Sequence, residues 1–238
     1  MRLCVVQLAT TWGRPHAVLA RVDALLASGP PTDLVLLPET ALTGYASPAF
    51  DFDLTRFAEP LDGPTSRALA GLAVRYQTTL VGPLILGREG RVYNATFAVG
   101  PDGGTRFLYE KRHPWFPETW ATAGSKLPPV IEVAGVRTTV AVCFDVQFVD
   151  DDPQDALDAA DLLLFPSSWV DDEDSRLPLL TQLAPRFGLW IANANWAAGE
   201  LRIPGQGDSC IVTAGGEIQA RLATGDGRLD ALIPARSR

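Results

Sequence analysis

The chain has 238 residues, 47% of them apolar, and a formal net charge of -8. That length supports one sizeable core and a single domain over residues 1–238. The negative charge, with basic residues scattered rather than gathered into a stripe, argues against a nucleic-acid partner. Three cysteines and two histidines are too few and too unevenly placed for a disulfide framework, a zinc cluster or most metal-hydrolase designs, so no metal is expected.

Met1-Arg2 runs directly into Leu3-Cys4-Val5-Val6-Gln7-Leu8, a first strand. Its apolar run is too short for a secretory signal, and no stretch approaches the roughly 20 apolar residues that span a bilayer. A cytoplasmic protein with no membrane contact is the expectation. Pro15 opens a helix through Leu26 with an apolar stripe at helical spacing. Asp33 to Leu37 is a short apolar strand. Pro64 opens a second helix through Tyr76, and strands follow at Thr79 to Leu86, Tyr93 to Val99 and Thr105 to Lys111, with a turn at Gly100-Pro101-Asp102-Gly103-Gly104.

After a proline-rich loop, Val130 to Val133 and Arg137 to Phe144 form a further hairpin, and Pro153 to Ala160 a helix with acids in its first turn. Asp161-Leu162-Leu163-Leu164-Phe165-Pro166 then mirrors Asp33-Leu34-Val35-Leu36-Leu37-Pro38, a hint of two similar halves. A helix at Leu179 to Phe187, a strand at Leu189 to Ala194 and three more strands around Ala214-Gly215-Gly216 close the chain. Helices alternating with buried strands, plus antiparallel hairpins, indicate an α/β fold of mixed sheets covered by helices.

Four polar residues stand at strand ends or in a stiffened loop. Cys143 follows Thr138 to Val142, at an edge where nucleophiles are often displayed, whereas a free cysteine is commonly a small apolar filler, the reading kept for Cys4 and Cys210. Glu39 follows Leu37-Pro38 in a half-desolvated place suited to a base, or is an ordinary loop glutamate. Lys111 can favour a thiolate or an oxyanion, or simply end a strand. Glu118 lies in His113-Pro114-Trp115-Phe116-Pro117-Glu118, stiffened by two prolines. His113 is the histidine nearest this group. The runs Asp150-Asp151-Asp152 and Asp171-Asp172-Glu173-Asp174 lack the spacing of a cation loop, and the first is better explained as charge at a helix start. Trp115, Trp169 and Trp196 can wall a pocket or pack in the core.

Together these segments resemble the nitrilase superfamily of carbon-nitrogen hydrolases along almost the whole chain. Leu36 to Tyr45 is similar to the family's first motif, with its glutamate at Glu39 and a following Gly44-Tyr45. Glu110-Lys111-Arg112-His113 is similar to the lysine motif, with the second glutamate at Glu118 and Gly124 closing the loop. Val140-Ala141-Val142-Cys143-Phe144-Asp145 is similar to the nucleophile motif. The sequence departs from the pattern at Gln147, where the family often has arginine, at Val149-Asp150 in place of Pro-Glu, and at Ala184 to Gly188.

The resemblance implies an α-β-β-α sandwich of two mixed sheets and a reaction that requires no cofactor. It implies Cys143 as nucleophile, Glu39 as base, Lys111 with the backbone N–H of Phe144 as oxyanion support, and Glu118 orienting Lys111 or the incoming group. Phe144, Trp169 and Tyr45 are assigned to the substrate pocket. The substrate would be a small-molecule amide or carbamoyl amine, since Phe144-Asp145 is similar to the aromatic-Asp pair of the amidase branches, and the protein would be a homodimer or larger homo-oligomer. An acyltransferase using the same thioester, a silent binding subunit of the same fold, and a Cys143-His113 pair remain as alternatives.

Overall fold

The computed structural model describes residues 1–152, 154–173 and 175–235, so the expected helix start at Pro153 and the end of the second acidic run at Asp174 lie outside the described residues. In chain order the first part holds strand β1 (Arg2–Ala9), helix α1 (Pro15–Ser28), β2 (Leu34–Leu36), α2 (Pro64–Tyr76), β3 (Thr79–Arg88), β4 (Arg91–Val99) and β5 (Thr105–Glu110). The second holds β6 (Ile131–Val133), β7 (Val136–Val140), α3 (Asp155–Ala159), β8 (Leu162–Ser167), α4 (Arg176–Phe187), β9 (Trp190–Ala197), β10 (Ser209–Val212) and β11 (Ile218–Leu222), before β12 (Gly227–Leu232).

Each part forms a mixed sheet. β1, β2 and β3 are parallel, with β4 and β5 added as antiparallel hairpins. β7, β8 and β9 are likewise parallel, with β6, β10 and β11 antiparallel at the flanks. The two expected sheets are joined rather than separate, because the end of β1 pairs with the end of β9 at Leu8↔Trp196 and Ala9↔Ala197. β12 returns to lie antiparallel on β1.

The layers follow from alternation along the strands. Leu3 and Val5 of β1, Leu34 and Leu36 of β2 and Val81 of β3 share one core with β7, β8 and β9. Cys4, Val6, Leu8, Val35, Leu37 and Leu80 face the opposite core, beneath Val18, Val22 and Leu26 of α1 and Leu69, Leu72 and Ala73 of α2. The apolar residues of α1 recur every fourth position, so one helix face is covered and the other is left to water.

The mirrored Asp-Leu runs occupy matching places. Asp33 accepts the backbone N–H of Arg2 at 2.7 Å, and Asp161 accepts that of Arg137 at 2.9 Å. Each aspartate also receives an arginine guanidinium from the strand beside it. Among the described residues no helix is long and apolar enough to cross a membrane.

Two expectations need correction. The strand before Cys143 ends at Val140 and not at Phe144, and Cys143–Phe148 form a 3-10 turn. α4 starts three residues before Leu179, because the Asp171 carboxylate accepts the backbone N–H groups of Ser175 and Arg176 and so caps the helix. In the first acidic run the exposed Asp150 meets Arg186, and Asp152 meets both Arg112 and His113 at 3.0 Å.

Candidate active site

Glu39, Lys111 and Glu118, from three separate segments, meet in one buried cluster. The Lys111 ammonium donates to Glu39 Oε1 at 2.8 Å and to Glu118 Oε1 at 2.7 Å, and none of the three side chains is more than 1% exposed. Lys111 reaches this point because β5 ends at Glu110 and the chain turns inward, with Lys111 N–H still paired to Asn94 O. Gly124 closes the loop over that strand end. Its N–H donates to Lys111 O at 2.8 Å, and it lies so flat on the Glu110 carbonyl that an added Cβ would come within 2.2 Å of that oxygen.

Glu39 is held at both oxygens. Oε1 also accepts from Asn94 Nδ2 at 2.8 Å, and Oε2 accepts the backbone N–H of Ser168 at 2.8 Å. Ser168 also lines the cavity onto which Cys143 opens, so the residue that holds Glu39 borders the thiol's space. Thr40, next to Glu39, has a φ of +48°, unusual for a β-branched residue, and its hydroxyl lies 3.2 Å from that of Ser168. Glu118 accepts additionally from the Tyr45 hydroxyl at 3.0 Å and from Asn94 at 3.3 Å.

Cys143 has a φ of +47°, in the left-handed region that costs a non-glycine residue roughly 1 to 3 kcal/mol. The neighbouring aspartate compensates. Asp145 Oδ1 accepts the N–H groups of Arg112 and His113, while Oδ2 accepts the Tyr109 hydroxyl and the N–H of Val142. One buried carboxylate therefore fixes the turn of Cys143 and the segment just after Lys111 together.

Burial pushes the Cys143 thiol well above its ordinary value, with Glu39 adding to the rise and Lys111 opposing it. Burial would pull the Lys111 ammonium down, but the carboxylates of Glu39 and Glu118 outweigh it and hold the lysine charged. Burial raises Glu118 against the pull of Lys111, and raises Asp145 likewise. The other cysteines sit in the core, where burial pushes Cys4 up to about 12 and Cys210 to about 11.

Cys143 opens onto a cavity of about 200 Å³ lined by Trp115, Phe144, Gln147, Ser168, Trp169, Val170 and Ser175. Phe144 and Trp169, read from the sequence, thus lie in this wall. Tyr45 is buried behind it, stacked on Trp115 at 6.4 Å with its hydroxyl on Glu118. Trp196 supports the wall from behind, its indole N–H donating to Trp169 O at 2.8 Å. The His113 ring stacks on Phe148 and meets Asp152 at 3.0 Å, whereas the charged groups acting on the Cys143 thiol are Glu39, Lys111 and Glu118. Among the described residues no group of three or more histidines, cysteines or acids is placed to hold a metal ion.

Sequence reasoning missed Asn94 and Ser168. Asn94 carries a weak signal, as the one amide inside the apolar run from Tyr93 to Val99. Ser168 carries none, because it acts through its backbone.

The sequence model for carbon-nitrogen hydrolases matches residues 2–235. The chain is 30% identical to the omega-amidase YafV of Yersinia enterocolitica, over 97% of this chain and 89% of that protein. It is 33% identical to an (R)-stereoselective amidase of a Pseudomonas species, over 62% of this chain and 53% of the relative's length. In three dimensions it resembles the Nesterenkonia AN1 amidase of the nitrilase superfamily, solved with its cysteine replaced by alanine. That likeness has a TM-score of 0.84 at 25% identity and covers 97% of this chain and 89% of that one. With its buried acid-lysine-acid cluster beside a strained cysteine, this chain belongs to the carbon-nitrogen hydrolase family.

Proposed function

We propose that the protein hydrolyses small-molecule amides through an acyl-cysteine intermediate, with Cys143 as nucleophile. The observation that carries the reading is the buried Glu39-Lys111-Glu118 cluster, whose Glu39 carboxylate bonds to the N–H of Ser168 in the cavity onto which Cys143 opens, setting a base near the thiol it would deprotonate. A thiol held neutral by burial needs such a partner, since only the thiolate attacks.

In this reading the Cys143 proton passes to Glu39 as sulfur bonds to the amide carbon. The charge that develops on the carbonyl oxygen is met by the Lys111 ammonium and the Phe144 backbone N–H. Glu39 then returns the proton to the departing nitrogen as the C–N bond breaks, leaving a thioester and ammonia or an amine. Water, deprotonated by Glu39, attacks the thioester carbon and releases the acid and the thiol. Glu118 keeps Lys111 in place and receives the Tyr45 hydroxyl. An amide uses this set in full, because its leaving nitrogen must be protonated. A nitrile has no leaving group until a thioimidate has formed and been hydrated. The amidase names of the relatives point the same way.

The test is intact-protein mass spectrometry with butyramide and butyronitrile, alongside ammonia release. An acyl adduct on Cys143 and faster ammonia from the amide are expected, and a clear preference for the nitrile would refute the amidase reading. Adding hydroxylamine or an amine acceptor and analysing products separates hydrolysis from acyl transfer.

A further inference from the structure

The cavity above Cys143 is built without a positive charge of its own. Its floor is Cys143 and Ser168, its sides are Trp115, Phe144 and Trp169, and its mouth is Gln147, Val170 and Ser175. Among these lining residues polarity comes from a carboxamide and two serines, and none is a lysine or an arginine. The nearby cations are already engaged. Lys111 lies between two carboxylates, Arg112 pairs with Asp152, Arg186 with Asp150, and the Arg176 guanidinium donates to Gly207 O at 2.9 Å.

The surroundings are acidic. Below the cavity are Glu39 and Glu118, two carboxylates sharing one ammonium. Beside the mouth, Val170 is followed by Asp171, Asp172 and Glu173, whereas the acids that come after Gln147 add less, since Asp150 pairs with Arg186 and Asp152 with Arg112. A carboxylate entering this space would lose its water without gaining a cation, and it would approach against a negative field. An uncharged acyl chain meets no such opposition and packs on the aromatic sides. Gln147 is exposed at the mouth, where the far end of a bound acyl chain would emerge.

We propose that this cavity selects amides that bear no carboxylate, and that the neutral side chain of Gln147 at its mouth is a determinant of that choice. The inference deepens the amidase reading and rests on it.

The test uses two alkylating agents that differ by one charge, iodoacetamide and iodoacetate. With either reagent the Cys143 sulfur bonds to the methylene carbon, iodide leaves, and the thiol proton passes to Glu39 and on to solvent. Rates at Cys143 are read by peptide mass spectrometry, each divided by the rate with 2-mercaptoethanol. The normalised rates should favour iodoacetamide by about tenfold or more, and the preference should shrink in 1 M salt. Gln147→Arg should lower the ratio and Gln147→Glu should raise it. In turnover, butyramide should exceed succinamate in kcat/KM by a similar factor.

A wild-type ratio near one, or better turnover of succinamate, would overturn the proposal, and an unchanged ratio in both variants would remove Gln147 from it. The wild-type ratio decides charge selection even if a variant fails to fold. Alkylation needs no turnover, so absence of ammonia from every amide would sink the amidase reading while the ratio still judged the cavity.

Discussion

The carboxylate of Asp145 accepts the backbone N–H of His113 at 2.9 Å, and through that bond the turn carrying Cys143 is tied to the segment that follows Lys111. Each of its oxygens serves two donors: Arg112 and His113 at one, Tyr109 and Val142 at the other.

Asp145→Asn keeps the shape but turns an N–H₂ toward two donors whichever way the amide is flipped. Leaving buried donors unpaired costs about 1 to 3 kcal/mol each, so a loss of about 2 to 6 kcal/mol is expected for the two, at about 2 to 4 °C in Tm for each kcal/mol. Turnover should fall through kcat more than KM, because the damage is to the placement of Cys143 and Lys111. Thermal melts and steady-state kinetics check both, and a variant with wild-type kcat would show that the tie is dispensable.

Replacing Cys143, the proposed nucleophile, should separate strain from chemistry. Cys143→Ala and Cys143→Gly should both lose turnover, but glycine accepts the φ of +47° without penalty. The glycine variant should therefore be the more stable of the two, by about 1 kcal/mol. Cys4→Ala and Cys210→Ala should keep their activity per folded molecule. Urea denaturation of the two Cys143 variants is the measurement, and an alanine variant as stable as the glycine one would mean the turn is unstrained.

Removing the buried ammonium should expose the repulsion it offsets. In Lys111→Met, Glu39 and Glu118 are left buried without a cation, a change that typically costs about 3 to 5 kcal/mol. The pH dependence has a definite sign. Burial already raises Glu118 above its ordinary 4.5, so its contribution is fullest below that pH and is lost as pH rises. Without Lys111 to oppose the shift, the loss should steepen. Denaturation at pH 5 and pH 8 should find Lys111→Met closer to wild type at pH 5, and the opposite trend would contradict this account.

Two glycines should respond oppositely to alanine. Gly71 lies within α2 with open space around its added Cβ, so Gly71→Ala should stabilise by about 0.5 to 1 kcal/mol through helix propensity. Gly124→Ala drives a methyl into the Glu110 carbonyl, and must displace either the loop or the strand end that presents Lys111. Lower stability and lower kcat are expected together, and a Gly124→Ala enzyme with normal kinetics would show that the loop can shift without moving the lysine.

Much of this fold is legible in the sequence because it is written in local patterns. Pro15 and Pro64 mark helix starts that the structure keeps, and the apolar runs Leu34 to Leu36 and Leu162 to Leu164 are strands buried on both faces. The candidate site is legible in part. Glu39, Lys111 and Glu118 stand at strand ends or in a stiffened loop, and the structure brings those three together at one point. Features that depend on long-range approach are not legible. The pairing of Leu8 with Trp196 joins positions 188 residues apart, and the Ser168 N–H is a group that every residue but proline possesses. The positive φ of Cys143 also escapes notice, since Val140-Ala141-Val142 reads as a strand that simply continues.

The join between β1 and β9 determines when reactivity can arise. Glu39 and Lys111 belong to the first sheet, whereas Cys143 and Ser168 belong to the second, and neither sheet holds a complete set. A chain synthesised only as far as Glu118 would have the proposed base and the ammonium but nothing to activate. A separate second part would carry a thiol left inert by burial, with no proton acceptor beside it. Co-expressed fragments divided in the loop before β6 would thus regain turnover only by docking, through Leu8 on Trp196 and β12 on β1, which makes the appearance of product a direct reporter of the encounter between the two sheets.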